Sequence, residues 1–223
     1  MRGSAPETQE IVRLPVAIIL AGGWSSRMGG GDKGLRLLAG IPLLGHIMAQ
    51  ARLWSDAVLL SANDDPGRFS DVPGLGSLTV VTDNVPDRPG PLAGILAAMD
   101  WTATHRPDST HILCVPCDTP FLPANLYPAL AAALAGGGGT VAMAVGPDGV
   151  RHPTVALWPV SLREDLRTAL RDEGLRKVGV FAARHGRVDV PFPAGPDGID
   201  PFFNINGPDD LAMAEGFIRS AGP

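Results

Sequence analysis

Arg27 and Lys33 stand in the stretch LAGGWSSRMGGGDKGL, residues 20–35, which holds six glycines and follows directly on the apolar run Pro15-Val-Ala-Ile-Ile-Leu20. Glycine accepts positive φ and lets backbone N–H groups approach an anion with no Cβ in the way. Arg27 adds a planar fork of donors and Lys33 a mobile point charge. Together they make a cradle suited to a polyphosphate. A plain connection would need neither the two cations nor Gly22-Gly23 at the very end of a strand, and long loops in compact domains usually serve function.

Two phosphate-binding motifs are excluded by position. Gly29-Gly30-Gly31-Asp32-Lys33-Gly34 satisfies G-x-G-x-x-G, but a dinucleotide fingerprint starts immediately after its strand and this one begins nine residues beyond Leu20. A P-loop needs Gly-Lys-Ser/Thr, whereas Lys33 lies between Asp32 and Gly34, so no hydroxyl is in place for a metal.

A cradle needs a frame. Short apolar runs alternate with amphipathic segments, the pattern of βα units wound around a mostly parallel sheet. Strands are expected at 16–20, 57–61, 78–82, 111–115, 140–145 and 154–158. Helical stripes at i, i+3, i+4 and i+7 run through Leu44, Ile47, Met48 and Ala51, through Leu92, Ile95, Leu96 and Met99, and through Leu126, Ala129, Leu130 and Ala133. Pro42, Pro91, Pro123 and Pro208 mark helix starts, where a missing N–H costs little. Gly136–Gly139 reads as a stop after a helix. Strand signal resumes at Val141, so no domain boundary is placed there. Residues 14–223 are read as a single domain and 1–13 as a polar, aperiodic tail.

The chain has 223 residues, 45% of them apolar and 18% charged, with a net charge of −5. That describes a folded protein, and it lacks the broad basic surface that a nucleic-acid binder needs. The first apolar run is too short to span a bilayer, and two cysteines make no disulfide framework. A cytoplasmic protein is expected, with neither nucleic acid nor membrane as partner. Cys114 and Cys117 lack the second pair that zinc would need, and Cys114 falls in a strand, so both read as small buried apolar residues. Between Arg151 and Arg187, eight basic residues face four acidic ones. Solvated helix faces account for this; a docking face for an anionic substrate is the sharper alternative.

The string from Leu20 through Lys33 resembles the signature L-A-G-G-x-S-x-R-M-G-G-x-D-K of molybdenum cofactor guanylyltransferases. The likeness continues through Ser61-Ala-Asn63, Asp83, Pro89-Gly-Pro-Leu-Ala-Gly94, Cys114-Val-Pro-Cys-Asp118-Thr-Pro120 and Phe203-Asn204-Ile-Asn206, and covers essentially Val16 to Ile218. It implies a Rossmann-like three-layer α/β/α nucleotidyltransferase fold with a mostly parallel twisted sheet. It also implies an enzyme that joins GMP from GTP to the terminal phosphate of molybdopterin and expels pyrophosphate.

Under that resemblance Arg27 and Lys33 hold the β- and γ-phosphates, and Asp118 holds Mg²⁺, a hard cation that favours one or two carboxylates with phosphate oxygens and water. Guanine offers N1–H and N2–H₂ as donors, so its pocket wants acceptors. Backbone groups of Leu20, Ala21 and Gly22 stand at the right place, and Asn63 and Asp83 match nucleotide-binding positions. Asn204 and Asn206 match positions near the substrate phosphate or metal, although asparagines before a helix are also ordinary caps. His152 edges the pterin pocket or is a structural histidine. The family context leaves room for molybdenum-insertion or molybdoenzyme chaperone proteins as partners. The chain departs from the pattern at Trp24 and at Gly207, which replaces a more usual threonine. Other readings are a molybdopterin cytidylyltransferase, a sugar-nucleotide pyrophosphorylase, and a GTP-binding adaptor without catalysis; Gly22-Gly23 and the Cys-Val-Pro-Cys-Asp segment favour the guanylyl branch.

Overall fold

The computed structural model describes residues 14–21, 33–62, 69, 78–82, 90–195 and 197–221. Seven strands form one sheet: β1 (Val16–Leu20), β4 (Val58–Ser61), β5 (Thr79–Val81), β6 (His111–Pro116), β7 (Val141–Val145), β8 (Arg151–Pro159) and β9 (Arg187–Pro191). Their spatial order is β5-β4-β1-β6-β8-β7-β9. β8 alone runs against its neighbours β6 and β7; every other pairing is parallel. A two-stranded ribbon, β2 (Leu37–Leu38) and β3 (Ile41–Pro42), stands apart.

Alternation along each central strand divides the core in two. Ala17, Ile19, Leu113 and Val115 face α1 (Leu43–Trp54) and α3 (Leu126–Ala135). Val16, Ile18, Ile112 and Cys114 face α2 (Pro91–His105), α4 (Arg163–Arg171) and α5 (Val178–Arg184). A sheet covered on both faces is the three-layer architecture that apolar, parallel strands require. Cys114 lies in one layer and Cys117 in the other, both buried and unbridged.

The chain goes from β1 through α1 to β4 on one side, and from β5 through α2 to β6 on the other. Strand order therefore reverses between β1 and β6, and the crevice outside their carboxyl ends is the topological switch point where such sheets bind ligands. The final helix, α6 (Pro208–Ala221), packs with Leu38, Leu43 and Ile205 in a third cluster beside that crevice. Phe121, Phe203 and Phe217 meet there with ring centroids 5.5–6.5 Å apart, fixing the segment that enters α6. No helix among the described residues is long and apolar enough to cross a membrane.

Candidate functional site

β1 ends at Leu20, whose carbonyl accepts from the Cys117 N–H at 3.1 Å, while the Ala21 N–H donates to the Ser61 carbonyl at 3.0 Å. These bonds tie the start of the glycine-rich loop to the ends of β6 and β4. α2 closes against the same point. A Cβ on Gly94, in its first turn, would fall 2.9 Å from Leu20 Cδ2 and nearer still to Ser61 Oγ. Glycine here permits a helix start to sit on two strand ends.

Lys33 opens a 3-10 turn, Lys33–Leu35, at the far end of the loop. Its ammonium lies 2.5 Å from Asp118 Oδ2 and 2.6 Å from Asn206 Oδ1. Asp118 follows β6 and sits across the switch point. The loop that carries it is braced from α1, where Gln50 Nε2 donates to the Pro120 carbonyl at 2.9 Å and Trp54 Nε1 to the Ala124 carbonyl at 2.8 Å. On the other side the Ile205 N–H donates to the Asp118 carbonyl at 3.0 Å. Ile205 is buried while Asn204 and Asn206 are exposed, so the two asparagines share the outward side.

Asn206 is not a side-chain cap. Its amide oxygen is on Lys33, and Asp210 Oδ2 instead accepts the N–H groups of Asn206 and Gly207 at 2.8 and 2.9 Å. Gly207, which stands where the family more usually has threonine, thus has its backbone N–H satisfied from within the helix. Asn204 is held by a residue that sequence reasoning passed over: the Thr119 hydroxyl donates to Asn204 Oδ1 at 2.8 Å. Its only signal was its place between Asp118 and Pro120.

The structure therefore brings Lys33, Asp118, Asn204 and Asn206 to one crevice, beside Leu20 and Ala21. Arg27, Gly22, Asn63 and Asp83, with Trp24, lie outside the described residues. His152 stands at the same edge of the sheet, opposite Ala144 on β7, its ring stacked on Phe202 at 4.5 Å. Its Nε2 is buried without a hydrogen-bond partner. Burial holds its pKa below the ordinary value, against the pull of Asp200 and Asp148.

Five of the eight basic residues of the later third are paired within the protein. Arg167 pairs with Asp100 on α2 at 2.6 Å and with Glu164, and Arg163 pairs with Glu164. Arg151 and Arg187 both pair with Asp189, and Arg184 pairs with Glu173. α4 enters from the end of β8, at the opposite edge of the sheet from Asp118, because β8 runs antiparallel to β6. Those five charges are met within the protein, which at these positions favours solvated faces over a docking face.

Asp118 Oδ2 and Asn206 Oδ1 already share one cation, the Lys33 ammonium, and the Thr119 hydroxyl lies 3.3 Å from Asp118 Oδ1. This is a hard-oxygen set that fits Mg²⁺. Among the described residues no cluster of three His, Cys, Asp or Glu side chains could hold a metal. A divalent ion here would lean on one carboxylate and take its remaining ligands from phosphate and water.

Comparison with known proteins gives one consistent answer. A MobA-like NTP transferase domain matches residues 17–188. The molybdenum cofactor guanylyltransferase of Rhodopseudomonas palustris is 48% identical over 202 residues, 91% of each chain. That of Bradyrhizobium is 47% identical over 89% of this chain and 90% of its own. In fold, the chain is similar to the molybdopterin-guanine dinucleotide biosynthesis protein A of Archaeoglobus fulgidus, with a TM-score of 0.70 at 23% identity, covering 92% of this chain and 98% of that one. It is also similar to a Mycobacterium tuberculosis protein in complex with manganese, with a TM-score of 0.66 at 19% identity, covering 91% and 98%.

Proposed function

The chain belongs to the molybdenum cofactor guanylyltransferase family, and on that premise we propose that it transfers GMP from GTP to the terminal phosphate of molybdopterin, releasing pyrophosphate. The observation that carries the site assignment is the meeting of Lys33 and Asp118, 85 positions apart in sequence, at 2.5 Å across the switch point. An ammonium to neutralise phosphate charge and a carboxylate to hold a divalent ion, brought to one crevice, are groups that transfer at an α-phosphorus can use.

Two anions must be brought together and a third expelled, so alignment and charge neutralisation supply the rate enhancement and no covalent protein nucleophile is required. Lys33, with Arg27, binds the β- and γ-phosphates and neutralises charge that builds on the leaving pyrophosphate. Asp118 would hold Mg²⁺, which supplies charge stabilisation at the phosphate oxygens when bound. Leu20, Ala21 and Gly22, with Asn63 and Asp83, receive the nucleoside. Asn204 and Asn206 orient the acceptor phosphate through their amide groups. Residues 14–223 act as one nucleotidyltransferase domain, in the cytoplasm, with which the two unbridged cysteines agree. The product passes to molybdenum-insertion or molybdoenzyme chaperone proteins.

The test is pyrophosphate release by the protein with molybdopterin, Mg²⁺ and one of GTP, CTP or ATP. GTP should support release at least about 100-fold better than CTP, because a site built on hydrogen bonds to one base leaves buried groups unpaired with another. Preference for CTP would make it a cytidylyltransferase. GTP binding without release would make it an adaptor.

A further inference from the structure

We infer that Thr119 is a positioning residue for the transfer: it holds Asn204 by its amide oxygen, so that the amino group of Asn204 is left to donate to the anionic acceptor. The inference rests on the proposed function, since it needs Asn204 at the substrate phosphate.

Thr119 is 1% exposed, so its hydroxyl must find a partner inside the protein. It has a single proton and two acceptors within reach: Asn204 Oδ1 at 2.8 Å and Asp118 Oδ1 at 3.3 Å. The nearer takes it. A primary amide has an acceptor end and a donor end. Left free on an exposed residue, it could turn either end to solvent, and an oxygen facing a phosphate would repel it. Tying the oxygen inward fixes the choice.

Before nucleotide binds, Asn206 Oδ1 is likewise engaged, by the Lys33 ammonium at 2.6 Å. Between the two amides Ile205 is buried and its N–H is on the Asp118 carbonyl, so the backbone that separates them is pinned. The outcome is two neutral amides on one outward side of one short segment, and the hold of Thr119 on Asn204 does not depend on the lysine, which the polyphosphate takes up. That pair suits the terminal phosphate of the acceptor, which must be gripped without neutralising it so far that it ceases to be a nucleophile.

The test is a double-mutant cycle with Thr119→Val, Thr119→Ser and Asn204→Ala, reading kcat and KM for molybdopterin at saturating GTP and Mg²⁺. Thr119→Val should lower kcat/KM for molybdopterin about tenfold, the loss of one orienting hydrogen bond, and leave KM for GTP within about twofold. Thr119→Ser, which keeps the hydroxyl, should stay within about twofold of the parent. In the Asn204→Ala background Thr119→Val should cost less than about twofold more. Additive losses, or a serine variant as poor as valine, would overturn the role of Thr119 while leaving the site intact. Asn204→Ala with unchanged kinetics would overturn the placement of Asn204, and this inference with it, without touching the GTP reaction. The same cycle run with Thr119→Ala decides the matter if the valine variant does not fold.

Discussion

The ammonium of Lys33 lies 2.5 Å from Oδ2 of Asp118, with the two side chains 13% and 20% exposed. Under the proposed function a divalent ion needs the same carboxylate, so metal and lysine would compete for it until a polyphosphate took the lysine. Lys33→Met is expected to bind Mn²⁺ more tightly than the parent in the absence of nucleotide, as followed by electron paramagnetic resonance. Turnover should nonetheless fall by about 100-fold or more, since a donor to the leaving group is gone. Equal Mn²⁺ affinity in the two proteins would mean that the lysine does not guard the carboxylate.

Asp118→Asn keeps the shape of that side chain and removes its charge. Turnover with Mg²⁺ is expected to fall by about 100-fold or more, because no cluster of three metal-ligating side chains among the described residues could take over from the lost carboxylate. The fold should survive, since the backbone of Asp118 is held independently through the Ile205 N–H. Pyrophosphate release and far-UV circular dichroism on the same sample check both halves; an active, folded variant would end the metal assignment.

Gly94 allows α2 to start directly on the ends of β1 and β4. In an ordinary helix Gly→Ala stabilises by about 1 kcal/mol. Here the added Cβ meets Leu20 Cδ2 at 2.9 Å and crowds Ser61 Oγ more closely, and overpacking of that kind costs about 1–3 kcal/mol. Gly94→Ala should therefore reverse the usual sign and lower Tm by several degrees, with KM for GTP raised as the helix lifts from the crevice. A variant more stable than the parent would show that the contact yields freely.

The strands that make the frame were legible because they are apolar and short: β1, β4, β5, β6 and β7 lie within a residue of expectation. The first two helical stripes were legible for the same reason, and Leu44, Ile47, Met48, Ala51, Leu92, Ile95, Leu96 and Met99 are all buried. In α3, Leu126 and Leu130 are buried while the alanines beside them are only partly covered. β8 was read too short. Its first residues, Arg151 and His152, are polar at the sheet's rim, and the register shift between Met143 and Ala144 breaks the alternation. β9 escaped notice because it is an edge strand in which Arg187 and Asp189 pair with each other, the charged edge that keeps a sheet from joining another. The pairing of Lys33 with Asn206 spans 173 positions, and no local spacing encodes a contact of that kind. Spacing could place each residue at the carboxyl edge; only topology places them at the same crevice.

Arg167 ties α4 to α2 through Asp100, with Arg167 28% and Asp100 40% exposed. Solvent-screened pairs of this kind contribute about 0–1 kcal/mol. Arg167→Glu would set a new carboxylate against Asp100 and Glu164 together. It should lower Tm by about 2–4 °C and leave KM for molybdopterin within about twofold. A selective rise in that KM, with Tm unchanged, would restore the docking reading.

His152 makes stability depend on pH. Its ring is stacked on Phe202, its Nε2 is buried without a partner, and burial lowers its pKa from 6.5, with Asp200 and Asp148 opposing. The unfolded chain therefore takes up a proton on this residue at a higher pH than the folded one does. Where the unfolded state binds more protons, stability rises with pH. The contribution of His152 is accordingly lost as pH falls from about 6.5 to the lowered folded value, and is complete above that window. Burial lowers the pKa of His111 too, so the parent slope alone does not isolate His152. His152→Phe retains a ring against Phe202 and cannot titrate. In urea unfolding at about pH 5 to 8, the stability of the parent relative to His152→Phe should be constant above about pH 7 and decline below it. A difference that stays flat down to pH 5 would show that His152 is protonated in the folded protein as readily as in the unfolded chain.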